Sequence, residues 1–265
     1  MIAGSAQVTH ALPGPVQRDG NVFVVATCGG DSLGGDSAQC GAKVVTDATG
    51  APIETAAPNV GTATPKGYSP ADLRSAYNIP ISSSTKTIAI VDAYGYPNAE
   101  RDLGVYRAQY GLPPCTTANG CFKKTGQTGS PLLPIYNIGW AQETALDLDM
   151  ASAACPTCRI LLVEANSPSF FNLAAAAQFA ANQPNAVAVS NSYGAPEGSY
   201  GKTYAPYYSH PSVAITAASP SPSAWAQSSS PRTCRCTFGC RSCTGCAPAR
   251  RASRLAKCSG CSIAA

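Results

Sequence analysis

Lys86-Thr-Ile-Ala-Ile-Val-Asp92 is the stretch on which the fold turns. A strand with one wet face alternates apolar and polar residues. A short unbroken apolar run predicts instead a strand covered on both faces, the habit of parallel sheets. Working outward, Gly67-Tyr-Ser-Pro-Ala-Asp-Leu-Arg-Ser-Ala-Tyr77 offers Ser69 as an N-cap, Pro70 as a first helical residue and Asp72 in the first turn, so a short helix is predicted there. Pro97 to Tyr110 reads as a helix, and Cys115 and Cys121 flank a polar turn and are expected to pair. A helix from Trp140 to Ala153 leads to a strand at Arg159–Ala165, an Ala-rich helix at Ser169–Asn182, and strands at Ala186–Ser190 and Val213–Ala217. This alternation predicts an α/β fold, a parallel sheet with helices on both faces. Functional loops of such sheets lie at the carboxyl ends of the strands, where Asp92 and the Ser190-Asn-Ser-Tyr-Gly194 turn both fall.

The helix after residue 139 carries the most informative pair, Glu143 and Asp147 in Gly139-Trp-Ala-Gln-Glu-Thr-Ala-Leu-Asp-Leu-Asp-Met150. Positions i and i+4 share one helix face, and two like charges there cost a few tenths of a kcal/mol. Only 14 residues are acidic and only 12% are charged, about half the usual share. The bland reading is a solvated face; the sharper one is an acid–base pair. Asp149, two residues on, points to another side and reads as a solvated charge.

Composition narrows the function classes. The low charge, with many Gly, Ala, Ser, Asn and Tyr, suits a secreted enzyme, and no apolar run of membrane-spanning length occurs. The start, Met1-Ile-Ala-Gly-Ser-Ala-Gln-Val-Thr-His10, lacks a basic segment and a long apolar segment, so it does not read as a signal peptide. Either export is lost or the true start lies upstream. The two histidines, His10 and His210, sit in irregular or loop sequence, which argues against Ser-His-Asp and Cys-His chemistry. Cys155-Pro-Thr-Cys158 joins a helix to a strand; the redox motif runs strand, motif, helix, so a small structural disulfide is expected instead. Residues 1–66 read as loop or weak structure, with a Cys28–Cys40 disulfide closing a Gly-rich loop as a plausible pairing.

Taken in order, Gly67-Tyr-Ser-Pro-Ala-Asp-Leu, Ile88-Ala-Ile-Val-Asp-Ala-Tyr94, Glu143-x-x-x-Asp147, Cys155-Pro-Thr-Cys158 and Ser190-Asn-Ser-Tyr-Gly194 resemble the sedolisin family, the serine-carboxyl peptidases, over residues 67–219. No single motif is specific; the five together are. The resemblance implies a subtilisin-like α/β fold and an acid-active, secreted, monomeric endopeptidase acting on peptides or proteins, with no nucleic-acid or membrane partner. It assigns Glu143 as the base that activates a Ser nucleophile and Asp147 as the carboxyl that orients it. It places Ser192, Tyr193 and Gly194 on the pocket for the residue before the scissile bond, where many relatives have Trp in place of Tyr. A Glu serves as base in acid if a second carboxyl shares its proton, and an oxyanion Asp donates only while protonated.

The chain also departs from the family. Where the family has its oxyanion Asp in a Ser-Gly-Asp-x-Gly sequence, Pro220 and Ser221 stand, and no Gly-Thr-Ser nucleophile motif occurs. The family's C-terminal calcium site has no counterpart, so no cofactor is expected in this chain. From Pro220 onward there is no Asp, Glu, Val or Tyr, but nine Ser and seven Cys. Residues 231–265 hold seven cations and no anion, against 11 cations and 14 anions before them.

Three readings of residues 220–265 stand open. Cys243-x-x-Cys246 with Cys258-x-x-Cys261 has zinc-ribbon spacing; the seven Cys could knot a disulfide appendage; or GC-rich DNA is being read out of register, giving a disordered tail. The expectation is thus an irregular leader at 1–66, the N-terminal part of a sedolisin-like domain at 67–219 and a basic Cys-rich tail at 220–265. Such a chain should not cleave peptides, and an incomplete sheet with open apolar edges should aggregate. The alternative is a non-catalytic binding protein whose tail takes zinc or nucleic acid.

Overall fold

The chain opens with short strands: β1 (Gln17–Asp19), β2 (Val22–Ala26), β3 (Gln39–Cys40) and β4 (Lys43–Thr46). The computed structural model describes residues 14–28, 36–52, 68–81, 83–195, 198 and 200–216. The expectation of loop or weak structure over 1–66 is therefore corrected for residues 17–26 and 39–46. There β1, β2 and β4 form an antiparallel sheet in the order β1-β2-β4. Gly20, at φ +59, makes the tight turn from β1 into β2, and the apolar Val22-Phe-Val-Val-Ala26 buries Val24 and Val25. The tail 220–265, and with it every reading of its cysteines, lies outside the described residues, as does His10.

From residue 70 the elements follow the predicted alternation: α1 (Pro70–Ala76), β5 (Thr87–Ala93), α2 (Ala99–Gln109), β6 (Phe122–Gly126), α3 (Ile138–Ala154), β7 (Arg159–Ala165), α4 (Phe170–Ala181), β8 (Ala186–Ser190), β9 (Tyr193–Gly194), α5 (Tyr200–Tyr204), a 3-10 turn at Ala205–Tyr208 and β10 (Ala214–Ile215). The Ser69 cap forms as read, its hydroxyl accepting from the Asp72 N–H at 3.2 Å while the Ser69 N–H donates back to Asp72 at 2.8 Å. Strands β10-β8-β5-β7-β6 make one five-stranded sheet, parallel throughout. The quoted run is its central strand, and Ala89, Ile90, Val91 and Ala93 are all at most 1% exposed.

Both faces are covered, as an α/β sheet requires. Ala89, Val91, Leu161, Val163 and Val189 pack against Leu173, Ala176 and Ala180 of α4. Ile90, Ile160 and Leu162 point the other way, against Leu103 of α2, Leu148 of α3 and Phe122 of β6. Burial at this scale removes most of each side chain from water, about 1.5–3 kcal/mol apiece before entropy is counted. The three disulfides Cys28–Cys40, Cys115–Cys121 and Cys155–Cys158 are all formed. Among the described residues no helix is long and apolar enough to cross a membrane.

Candidate active site

Helix α3 is placed by its ends. Asn137 caps it, its side chain accepting from the Trp140 N–H at 3.1 Å, and Cys155-Pro156 stops it. Its first turn lies hard against the N-terminal segment: a Cβ on Gly139 would stand 2.3 Å from the Thr27 carbonyl oxygen. That contact and the Trp140 ring, 4% exposed beside Tyr193, fix the rotation of the helix. Glu143 and Asp147 consequently face inward, 1% and 4% exposed, and the solvated-face reading is excluded for both.

Residues far apart in sequence meet this pair. Residues 88, 90 and 92 of β5 share the face toward α2 and α3, so Asp92 is carried to the strand end beneath α3, fully buried. Across the ladder Asp92 is in register with Glu164 of β7, itself 1% exposed. The Ser192 hydroxyl, in the turn after β8, donates to Asp147 Oδ1 at 2.7 Å. Tyr193, expected to line a pocket, is buried, its hydroxyl donating to Asn191 Oδ1 at 2.8 Å and lying 3.2 Å from that of Tyr208. Gly194 pairs with Gln39 and Tyr193 with Cys40, so β3 runs antiparallel along the expected pocket segment. The Ala42 N–H donates to Glu143 Oε2 at 2.5 Å.

Four buried carboxyls with little positive charge near them are pushed toward their neutral forms. Burial drives Asp147 up to about 7, the Glu143 charge adding to the effect and the Ser192 hydrogen bond opposing it. Burial also raises Glu143, against the Ala42 and Gly41 backbone N–H groups. Asp92 rises well above the ordinary range, first through burial and then through the charges of Asp147, Glu143 and Glu164. Neither of its oxygens has a hydrogen-bond partner. The nearby Thr144 hydroxyl, which donates to the Trp140 carbonyl at 2.8 Å, opposes the rise. Glu164 is raised by burial too, moderated by the Tyr96 N–H at 2.7 Å and by Lys124 at 3.8 Å.

Sequence reasoning put Asp92 at a strand end without giving it a role, and it passed over Glu164. The available signal was an acid in each of two otherwise apolar strands. Asp149 is a correction: it is half-buried and pushed up to about 8 by burial and by the Asp102 charge, because α2 packs across that side of α3. His210 lies in a turn, its Nδ1 accepting from the Ser212 N–H at 3.3 Å. Among the described residues no group of three or more His, Cys, Asp or Glu could hold a metal ion.

Chemically, the arrangement is a desolvated proton store. A carboxylate in it can accept a proton from a hydroxyl and return it, the neighbouring acids preventing joint ionisation. No protein-family model and no curated protein sequence matches this chain. Among solved structures it is similar to Pseudomonas sedolisin, a serine-carboxyl proteinase, in complex with two molecules of pseudo-iodotyrostatin. The identity is 22% and the TM-score 0.39, over 49% of this chain and 35% of that one. This chain therefore spans about a third of that protein's length, and the likeness is distant and one of fold alone.

Proposed function

We propose that this chain carries the acid–base half of a serine-carboxyl peptidase, with Glu143 as general base and Asp147 as the carboxyl that shares its proton. The observation that carries the reading is the burial of both side chains on one face of α3, with Asp92 beneath them and Ser192 hydrogen-bonded to Asp147. Burial sets the pair apart from surface charges, and sharing one proton leaves one carboxyl of the pair free to act as base while the other stays neutral. The order of the five sequence motifs supports the same class, as does the near absence of histidine. In this scheme a serine hydroxyl gives its proton to Glu143 as it attacks the peptide carbonyl, and Glu143 returns that proton to the leaving amine. Asp147 keeps Glu143 oriented and half-neutralised throughout. Ser192, Tyr193 and Gly194 are proposed to bound the substrate site, and the setting to be extracellular, in keeping with the three disulfides.

The 265-residue chain contains no Gly-Thr-Ser and places Pro220 and Ser221 where the oxyanion Asp is expected. We therefore propose that it does not cleave peptides. The test begins with the coding DNA past codon 219, read in its two other frames; one should encode the missing Asp and Gly-Thr-Ser. The chain rejoined in that frame should hydrolyse casein at about pH 3–5, where carboxyls titrate. Glu143→Gln should lower kcat/KM by about 10²–10⁴, the usual share of a general base. If neither frame supplies the motif, or if the 265-residue chain itself shows Glu143-dependent proteolysis, the proposal is wrong.

A further inference from the structure

Residues 36–42 lie across the candidate site in an extended path, and the contacts that hold them are almost all main-chain. The Phe170 N–H donates to the Asp36 carbonyl at 3.0 Å, and the Ala38 N–H to the Pro168 carbonyl at 2.8 Å. Gln39 and Cys40 pair as a strand with Tyr193 and Gly194. The Ala42 N–H reaches Glu143 at 2.5 Å. The side chains that go down into the protein are small: Ala38, in the cluster with Trp140, Tyr193 and Phe170, and Ala42. A segment held by its backbone and burying only small side chains is bound in the manner of an extended peptide added as a strand.

The second feature is the anchor. Cys40 sits inside this segment and is tied to Cys28, next to Thr27. Thr27 in turn donates its N–H to the Ala42 carbonyl at 3.0 Å and abuts Gly139 of α3. The pairing with Tyr193–Gly194 is a separate two-stranded ribbon, outside the five-stranded sheet, and Gln39 and Gly41 are exposed along it. A two-residue strand pair of this kind has little stability of its own.

We propose that residues 36–42 are a self-occluding strap, lying where an extended peptide would bind beside Glu143 and clasped there by the Cys28–Cys40 disulfide. The occupant it excludes is a peptide strand with small side chains. The inference rests on the peptide-site reading above only for the identity of that occupant.

The test compares the full chain with its Cys28→Ala/Cys40→Ala form. Amide exchange at Tyr193 and Gly194 should quicken in the double variant, by up to about a hundredfold, the loss expected on opening a loop of this length. A fluorescein-labelled peptide with the sequence of residues 36–42, Ala replacing its Cys, should bind the variant at least tenfold more tightly than the disulfide-bonded chain. Ala42→Pro, which removes the N–H given to Glu143 and leaves the disulfide intact, should also quicken exchange at Tyr193–Gly194. It serves as the check should the double variant fail to fold. Unchanged exchange in both variants refutes the clasped strap while leaving the peptidase proposal standing. Quickened exchange with no peptide binding means that the groove is not a peptide site, which refutes both.

Discussion

Replacing Asp147 by Asn should stabilise this protein near pH 8 and leave it almost unchanged near pH 4. In the unfolded chain the Asp147 carboxyl titrates at its ordinary value of 3.8; in the folded protein burial carries it to about 7. Between those values the folded state holds a proton that the unfolded chain has released. A raised acid of this kind gives its full stability below the unfolded value, loses it as pH climbs toward 7, and loses no more above. Three units of separation at ~1.36 kcal/mol each set an upper bound of about 4 kcal/mol. Proton sharing with Glu143 and Asp92 reduces what a single substitution recovers, and about 2–4 kcal/mol is expected.

Asn is close in shape to the neutral acid, cannot ionise, and keeps an oxygen for the Ser192 hydroxyl now at 2.7 Å. The assay is urea unfolding of both proteins at the two pH values, extrapolated linearly to water. Acids held low by hydrogen bonds, such as Asp47, Asp72 and Glu100, act in the opposite sense on each protein but cancel in the difference. An equal effect of the substitution at both pH values, or a loss of stability near pH 8, would refute the claim that Asp147 is a desolvated acid.

Arg107, 1% exposed, gives its guanidinium to the Pro113 carbonyl at 2.6 Å, Ser152 Oγ at 2.9 Å and the Pro156 carbonyl at 2.5 Å. Arg107→Ala strands those acceptors and should cost about 3 kcal/mol or more in urea unfolding. Gly139→Ala forces α3 away from the Thr27 carbonyl and should cost about 1–3 kcal/mol, with faster amide exchange at Ala42 as its local signature. Removing both Cys155 and Cys158 opens only a very short loop, so a loss of about 2 kcal/mol is expected, with the far-UV spectrum kept.

How much could be read beforehand differs element by element. β5 and β7 announce themselves as unbroken apolar runs because both their faces are covered. β6, Phe122-Lys-Lys-Thr-Gly126, does not: it is an edge strand, and lysines there discourage pairing with other chains while erasing the apolar signal. The short strands β1 to β4 hide in Gly-rich sequence that resembles loop. At the site, the spacing of Glu143 and Asp147 is local and legible, since a helix converts a four-residue step into one face. The approach of Asp92 to Glu164 depends on which strands are neighbours in the sheet, and that of Ala42 to Glu143 on a contact spanning 101 positions. Neither leaves a periodic trace.

The register of β5 against β7 has a further consequence. Asp92 and Glu164 are cross-strand neighbours, and Asp92 in turn feels Glu143 and Asp147. From Lys124 at one end to Ser192 at the other, the interior therefore holds a row of acids in which the charges of Asp147, Glu143 and Glu164 all raise Asp92. Replacing Asp147, Glu143 or Glu164 by a neutral residue should therefore lower the midpoint of Asp92. The stagger of two strands thus adds a charge to those that the two residues on the helix already place around Asp92.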